Sequence, residues 1–273
     1  MDSRFRGNDN GMPSTSASTS ASTSTSSSPL ARAIDLTARY GERTILDGIS
    51  LDVHCGEILV ILGGSGCGKT TLLKHFIGLL KPSVGRVELF GQDWWALDEP
   101  ERESSITRIG VLFQNGALLG SRTLAANVAV PLEQHTNLPD AVIERVVKLK
   151  LKQVGLAGAE ERLPSELSGG MRKRAGLARA LALDPELLFC DEPSAGLDPP
   201  TTRMLDKLLL DLRDGLGLTL MVVTHEVASI RRIADRIAFL DNGRLSFLGT
   251  LDEALNCNVE PVRNFFAASG SGR

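Results

Sequence analysis

The sequence lacks a long apolar run. A membrane-spanning helix needs roughly 18 or more consecutive apolar residues, whereas the apolar stretches at 58–62 and 218–223 have the length of buried strands. No transmembrane helix is therefore predicted. If this protein serves transport, another chain must form the passage.

Cysteine pairs, aromatic side chains and net charge are also sparse. The four cysteines form no C-x-x-C pair, so neither a zinc site nor a disulfide framework is predicted, and a reducing cytosol fits. An aromatic content of 4% offers no base-stacking platform. The net charge of −3 argues against a protein built mainly to hold nucleic acid. The 273 residues suit one large α/β domain or two small lobes.

The first thirty residues differ in composition from the rest of the chain. Every position from 14 to 28 is Ser, Thr or Ala, which provides too little apolar surface to offset the entropy of ordering. Residues 1–30 are therefore predicted to be a disordered tail, and the absence of an apolar stretch excludes a secretory signal. Two alternatives stay open: a Ser-rich transit peptide, although arginine is missing between Pro13 and Leu30, and a true start at Met12.

The folded body is predicted to begin near Ala31 and to reach a phosphate-binding loop. Strands are predicted at 33–38 and 49–53, with a turn at Tyr40-Gly41, and then at 57–62. The last strand runs directly into a G-x-x-x-x-G-K-[ST] motif and a helix. Glycines let backbone amides converge on phosphate oxygens, and the helix dipole favours the same anion. The nucleotide-binding residues predicted here are Gly63, Gly64, Ser65, Gly66, Cys67, Gly68, Lys69, Thr70 and Thr71.

The last two residues of the motif have distinct predicted roles. Lys69 is expected to reach the β- and γ-phosphates of ATP, and the Thr70 hydroxyl to bind Mg²⁺. The competing interpretation is a Gly-rich turn from strand to helix with no ligand.

A pair of acids follows another buried strand. Residues 187–190 are apolar and are followed by Asp191-Glu192. Ligands bind beyond the carboxyl ends of parallel strands. Asp191 is therefore expected to complete the Mg²⁺ shell, directly or through water, and Glu192 to polarise the water that attacks the γ-phosphate. The alternative is a solvated loop start.

A second anion site is predicted at the start of another helix. Ser168 is a natural N-cap, and Gly169 and Gly170 follow it. Each glycine disfavours a helix by about 1 kcal/mol, so the two glycines are expected to serve another purpose. A serine hydroxyl with bare backbone amides at a helix N-terminus would bind an anion.

In order and spacing these motifs resemble those of ATP-binding cassette (ABC) proteins, over essentially residues 31–255. The resemblance implies an α/β P-loop NTPase fold: a RecA-like core, an antiparallel β subdomain and an inserted helical subdomain, here about 116–184. It divides the chain into the tail (1–30), the cassette (31–256) and a C-terminal extension (257–273). It also implies that Ser168, Gly169 and Gly170 contact ATP held by a second copy, so that a homodimer sandwiches two nucleotides.

Further positions match the family pattern. Tyr40 stands where an aromatic ring stacks on adenine, although a turn tyrosine packed on the sheet is an equal alternative. Gln114 matches the glutamine that links the metal to the helical subdomain, and His225 the histidine that contacts the γ-phosphate. Residues 194–198 match the loop that joins the two cassettes. The resemblance thus implies ATP hydrolysis with Mg²⁺, with catalytic Glu192, His225 and Gln114 and metal ligands Thr70, Gln114 and Asp191.

Within this superfamily, residues 168–181, with Met171 after the glycines, resemble the ATPases of the MCE/Mla lipid transport systems of Gram-negative bacteria, as do 110–118 and 127–133. This implies a membrane permease, an MCE-domain lipid-binding protein and in some systems a STAS-type subunit as partners. It also implies a peripheral location on the cytoplasmic face of the inner membrane. Trp94-Trp95 departs from the family and is predicted to pack internally, with a partner contact as the alternative.

The helical subdomain is expected to present a groove to the permease. Leu118, Leu119 and 125–130 are candidates for this surface, and core packing is the competing interpretation. After Leu255, the apolar residues Val259, Val262, Phe265 and Phe266 have the spacing of a short amphipathic helix.

The same sequence bears on several rival functions. A DNA-repair or chromosome-organising ABC ATPase needs a long inserted coiled coil, but only 99 positions separate Lys69 from Ser168 (168 − 69), and a tandem translation factor needs two cassettes. A compatible-solute importer commonly carries an extra C-terminal regulatory domain, for which little chain follows Leu255. A lipid or lipoprotein exporter is the closest rival, and an ATP-binding scaffold without turnover is the remaining one.

Overall fold

The computed structural model describes residues 28–268, so the predicted tail falls outside the described residues as far as position 27. The body begins with a strand at Ala31, where the sequence predicts it. In chain order the elements are β1 (Ala31–Tyr40), β2 (Arg43–Val53), β3 (Ile58–Gly63), α1 (Lys69–Phe76), β4 (Val84–Leu89), β5 (Gln92–Asp93), α2 (Glu99–Ile106), β6 (Ile109–Leu112), α3 (Leu124–His135), α4 (Asp140–Gln153), a 3₁₀ turn (Pro164–Glu166), α5 (Gly169–Ala180), β7 (Leu187–Asp191), α6 (Pro199–Leu216), β8 (Thr219–Val223), α7 (Val227–Ile233), β9 (Arg236–Asp241), β10 (Arg244–Thr250), α8 (Leu251–Asn256) and α9 (Glu260–Ala268).

The larger sheet has six strands in the order β10-β9-β3-β8-β7-β6. All neighbours are parallel except β9 and β10. Strands β3 and β8 are buried along their whole length, as expected for the centre of a parallel sheet that is covered on both faces. Because β3, β6, β7 and β8 run the same way, the residues that follow them meet at one edge.

The smaller sheet is antiparallel, with the order β2-β1-β4-β5. It encloses α1 against the larger sheet, and the apolar core between them includes Leu36, Leu59, Phe76 and Phe189. The predicted turn at Tyr40-Gly41 is displaced by one residue. Tyr40 is the last residue of β1 and pairs with Arg43, so the turn is Gly41-Glu42, with Gly41 at a φ of +59°.

Helices α3, α4 and α5 pack on one another and on the larger sheet. Their apolar side chains share a single core with the sheet, represented by Val60, Val128, Leu151 and Leu177. Asn127 is fully buried in α3, and its side-chain amide bonds the backbone at Leu119, Arg122 and Thr123, which fixes the loop before the helix. Along residues 28–268, the helices are all too short or too polar to cross a membrane.

The two adjacent tryptophans pack internally. Trp94 is 3% exposed, and Gly78 leaves room for it, because a Cβ on Gly78 would lie 2.2 Å from Trp94 Nε1. Trp95 packs against the same core, with the Arg102 guanidinium 5.8 Å from its ring centroid. The packing interpretation is therefore confirmed.

An amphipathic helix, α9, lies within the predicted C-terminal extension and packs on its own chain. Val262 and Phe266 are buried in the main core. Phe265 meets Phe239 edge to face, with ring centroids 5.6 Å apart, and the Arg231 guanidinium lies 5.6 Å from the Phe266 ring. The helix therefore covers β9 and α7.

A buried carboxylate joins α6 to α7. Asp206 accepts hydrogen bonds from the Ser229 hydroxyl and from Arg232 Nε, the latter at 2.7 Å, and is 2% exposed. We expect Asp206→Ala to lower the free energy of unfolding by about 3 kcal/mol, because it leaves the buried Ser229 hydroxyl and the half-buried Arg232 guanidinium without their acceptor. Urea unfolding would measure this. Asp211→Ala, which removes the exposed i,i+4 partner of Lys207 on the same helix, should cost no more than about 0.5 kcal/mol. Equal losses in the two variants would contradict the assignment.

Candidate active site

The phosphate-loop motif forms a tight connection between β3 and α1. Gly63 has a φ of +145°, and a Cβ there would lie 2.2 Å from the Leu240 carbonyl oxygen. Gly68 has a φ of +106°, and a Cβ there would lie 2.6 Å from Leu46 Cδ2. Both the backbone conformation and the surrounding space therefore require glycine at these positions.

The N-terminus of α1 is open to an anion. No side chain caps the helix at Gly68, and its first turn contains no acid, so its first amides lack the partners that a cap would supply. The Lys69 ammonium folds back over the loop and donates to the carbonyl oxygens of Gly63 and Gly64, both at 2.9 Å. Amides, a helix dipole and a cation thus converge at one point, as phosphate binding requires.

Tyr40 and the phosphate loop line the same cleft. This cleft has a volume of about 330 Å³ and also contains Gly66, Lys69 and Thr71 among its lining residues. The Tyr40 side chain is 55% exposed, which does not fit the interpretation that its ring is packed on the sheet. Ser168, Gly169 and Gly170 do not line this cleft.

Asp191 lies at the carboxyl end of β7 beside the Thr70 hydroxyl. Burial raises the pKa of Asp191, the charge of Glu192 adds to this effect, and Lys74, the Thr70 hydroxyl and Lys173 oppose it. Its Oδ1 atom is buried and has no hydrogen-bond partner. A half-buried carboxylate with a free oxygen, next to a hydroxyl and to a phosphate loop, is a donor set that suits Mg²⁺. The residues present therefore fit MgATP.

Glu192 follows directly and adopts an unusual backbone conformation. Its φ is +48°, a region that non-glycine residues visit rarely and usually for a reason. Its amide donates to the Val223 carbonyl oxygen at 2.8 Å, and its Oε1 lies 2.8 Å from His225 Nδ1. The structure thus brings two of the predicted catalytic side chains into direct contact at the ends of β7 and β8.

Gln114 lies on the neighbouring strand end. Gln114 comes two residues after β6, whose Leu112 pairs with Cys190 of β7. It therefore lies at the same edge of the sheet as Asp191, and it is exposed. Its carbonyl oxygen accepts a hydrogen bond from Lys173 Nζ. Lys173 lies in the stretch 168–181 but has no predicted role there, and a lysine between Arg172 and Arg174 on a helix gives no sequence signal that its side chain is buried. Burial lowers the pKa of Lys173, while Glu192, Asp191 and Cys190 oppose the shift.

The second predicted anion site begins α5 as expected. Ser168 is the N-cap, and its hydroxyl accepts from the Met171 amide at 3.3 Å. Ser168 is exposed and Gly170 is buried. A Cβ on Gly170 would lie 2.5 Å from Thr201 Cγ2. Close packing against α6 therefore supplies a structural reason for this glycine, in addition to the backbone access that the sequence suggests.

The loop at 194–198 leads into α6. Asp198 caps that helix by accepting from the Thr201 amide at 3.0 Å and from its hydroxyl at 2.7 Å. Both hydrogen bonds lower the pKa of Asp198. The capped loop lies between Glu192 and the helix that packs on Gly170, so it connects the end of β7 to the surroundings of the second predicted anion site.

Comparison with known proteins agrees with this site. The model of the ABC transporter family matches residues 46–195. A Mycobacterium leprae protein named a probable ribonucleotide transport ATP-binding protein is 42% identical over 240 residues, which cover 87% of this chain and 69% of the relative. The MlaF protein of Escherichia coli K12, named an intermembrane phospholipid transport system ATP-binding protein, is 41% identical over 239 residues, which cover 87% of this chain and 88% of the relative.

A solved structure of an ATP-binding cassette has the same fold. The dimeric post-hydrolysis state of the ATP-binding cassette MJ0796, bound to ADP and Pi, superposes with a TM-score of 0.74 at 30% identity. The match covers 81% of this chain and 98% of that one. With a family model over more than half of its residues and relatives aligned along most of its length, this chain belongs to the ABC transporter family as an ATP-hydrolysing cassette.

Proposed function

We propose that this protein drives phospholipid transport between the inner and outer membranes of a Gram-negative bacterium, acting through a separate membrane permease. The observation that carries the proposal is the match to the E. coli phospholipid transport protein, which covers 88% of that relative at 41% identity. The sequence at 168–181, with Met171 after the glycines, supports the same branch. The protein would act as a peripheral subunit on the cytoplasmic face of the inner membrane.

A nucleotide transporter is the second candidate. The M. leprae relative carries a ribonucleotide transport name at 42% identity, so percent identity does not separate the two cargoes. The share of the relative that is covered, 69% against 88%, favours the phospholipid branch. The residues that line the nucleotide cleft carry no information on cargo in either case, because cargo passes through the permease.

Two copies of the chain are proposed to form the working ATPase. Ser168 is exposed at the start of α5 and does not line the cleft of its own phosphate loop. An anion site that faces outward in this way is suited to the nucleotide of a second copy. The related cassette MJ0796 is dimeric with ADP and Pi bound. We further propose the division into a cassette at 31–256, with a helical subdomain at about 116–184, and an extension at 257–273.

We propose the following catalytic roles, which the family resemblance implies and the geometry of the side chains supports. Lys69 and the loop amides of 63–71 bind the phosphates, and the exposed Tyr40 ring stacks on adenine. Thr70, Asp191 and Gln114 would hold Mg²⁺, which would neutralise phosphate charge. Bound ATP would supply the γ-phosphoryl group, which passes to water with ADP as the leaving group. Glu192 would accept the proton of that water, and His225, 2.8 Å away, orients the carboxylate and would contact the γ-phosphate. Positioning and charge stabilisation dominate such chemistry.

The surface for the permease is proposed around Leu119. Leu119 is 44% exposed, whereas Leu118 packs against the core, which supports Leu119 over Leu118 as the docking residue. Asn127 bonds both the amide and the carbonyl of Leu119, at 2.7 and 3.1 Å, and so fixes the exposed leucine in place. Because the backbone of this exposed apolar residue is already fixed, docking at Leu119 orders less of the chain.

Leu119→Asp is therefore expected to prevent recovery of the membrane complex, because the charge must be desolvated when the permease docks. Affinity purification from membranes would measure this, and ATP affinity of the purified variant would report its fold. The matched control is Leu149→Asp, which changes another exposed leucine, on α4, and should leave recovery intact. Full recovery with Leu119→Asp would move the docking surface elsewhere.

The proposed function is tested by isolating the complex through a tag on this protein. Mass spectrometry of the membrane fraction should identify a permease and an MCE-domain protein, with a STAS-type subunit where the system has one, and extraction should yield bound phospholipid. Recovery with a solute-binding protein, or with subunits that bind ribonucleotides and no lipid, would overturn the phospholipid assignment.

A further inference from the structure

Helix α5 holds the segment that begins with Gln114 by three residues on one face. Lys173 donates to the Gln114 carbonyl oxygen, and Arg179 donates to the carbonyl oxygens of Gly116 and Ala117 at 3.0 and 2.8 Å. Between them, Gly176 lies so close that a Cβ on it would be 2.8 Å from the Gly116 Cα. Residues three apart on a helix share a face. The helix that starts at Ser168 and the segment after β6 are thus fixed to each other.

Lys173 also reaches the catalytic strand end. Its ammonium donates to the Glu192 carbonyl oxygen at 3.0 Å. One buried side chain, 5% exposed, therefore joins α5, the start of the Gln114 segment and the backbone of the proposed general base. Motion of any one of these three parts changes the hydrogen bonds of the other two.

Stability alone does not account for a lysine at this position. A buried ammonium loses hydration worth several kcal/mol, and replacement of buried charge by apolar groups is often neutral or stabilising. Both hydrogen bonds recorded for this ammonium go to backbone carbonyls of loops that carry proposed catalytic side chains. Neither supports a helix or a strand.

The backbone at Glu192 needs support of this kind. Its positive φ costs of order 1–3 kcal/mol and persists only where the surroundings enforce it. The amide is held by Val223 and the side chain by His225, and Lys173 holds the carbonyl. The Ala195 amide donates to the same carbonyl oxygen at 3.2 Å. Without Lys173 only that longer hydrogen bond remains, so the Glu192 peptide, and the carboxylate with it, is held less firmly.

We propose that Lys173 is a positioning residue that couples the helix beginning at Ser168 to Glu192, so that nucleotide contact at Ser168 aligns the general base. The inference rests on the proposed catalytic role of Glu192. Lys173 sets the position of the carboxylate and takes no part in nucleotide binding. Loss of the Lys173 side chain consequently lowers the rate of the chemical step and leaves the affinity for ATP nearly unchanged.

The test compares kcat and KM for ATP in the full-length protein and three variants. Lys173→Met removes the donors and keeps the stem, and should lower kcat about 30- to 100-fold, the scale of a misplacement of about 1 Å, with KM within about threefold. Lys173→Arg retains a cation with several donors and should recover at least about tenfold of that loss. Lys150→Met is the matched control. Lys150 is another buried lysine, 3% exposed, paired with Asp184 away from the site, and its loss should reduce stability while kcat stays within about twofold.

Wild-type kcat in folded Lys173→Met would overturn the inference, as would a loss of kcat in Lys150→Met equal to that in Lys173→Met. If Lys173→Met does not fold, Lys173→Gln replaces it. Its shorter amide cannot span both carbonyls, and we expect a loss of kcat of at least about tenfold. Glu192→Gln is measured in parallel. Full turnover there would overturn the role of Glu192, whereas its inactivity together with an active Lys173→Met would overturn the coupling alone.

Discussion

Glu192→Gln is expected to lower kcat by about 10²- to 10⁴-fold, which is the usual contribution of a positioned general base, without loss of ATP affinity. The amide has the shape of the carboxylate but cannot take a proton from water. It can still bond the His225 ring, which lies 2.8 Å from Glu192 Oε1, so the local structure should survive. Single-turnover phosphate release and nucleotide binding, measured on the same preparation, separate the two effects.

The control for this variant lies at the opposite end of the same strand. Glu186 immediately precedes β7, where its carboxylate pairs with Arg108 at 2.6 Å, and Arg108 lowers the pKa of Glu186. Glu186→Gln makes the same isosteric change far from the cleft and should retain kcat within about twofold, because exposed pairs contribute little. Substantial turnover by Glu192→Gln would show that another group accepts the proton.

Much of this site was predictable because its residues are adjacent in sequence to strand ends. The apolar run before Asp191 predicts a buried strand, and parallel strands bring their carboxyl ends to one edge. The structure accordingly has Asp191 at the carboxyl end of β7, with Lys69 and His225 after the carboxyl ends of β3 and β8 in the same sheet. The order of apolar runs and glycines predicts the positions of Lys69 and Asp191, whereas the place of His225 in the site is implied by the family resemblance.

Lys173 was not predictable for a physical reason. A charged residue on a helix is usually a solvated one, and its burial here depends on how closely α5 approaches the segment after β6. That approach depends on two glycines, because a Cβ on Gly176 would lie 2.8 Å from the Gly116 Cα. The two residues are sixty positions apart in the sequence (176 − 116). The positive φ of Glu192 is hidden in the same way, because nothing in the residue type predicts it.

Lys69→Ala is expected to weaken ATP binding itself, by about 100-fold or more. Hydrogen bonds to charged groups contribute about 1.5–3 kcal/mol each, and about 2.7 kcal/mol corresponds to a factor of about 100 in affinity. The alanine also removes the bonds from Lys69 Nζ to the carbonyls of Gly63 and Gly64, so the loop loses a support as well as a charge. Isothermal titration with ATP would measure the affinity.

Stabilisation by ligand gives an independent measure of the same loss. At an ATP concentration about 100 times its dissociation constant, binding raises the free energy of unfolding by about 2.7 kcal/mol, and a 100-fold weaker variant gains only about 0.4 kcal/mol. Lys81→Ala is the control, since Lys81 lies 6.0 Å over the Trp95 ring and away from the loop, and it should gain as much as the wild type. Unchanged ATP affinity in Lys69→Ala would mean that phosphate is not bound by the loop at 63–71. The roles assigned to Thr70, Asp191 and Glu192 would then also be wrong, because each assumes phosphate bound at that loop.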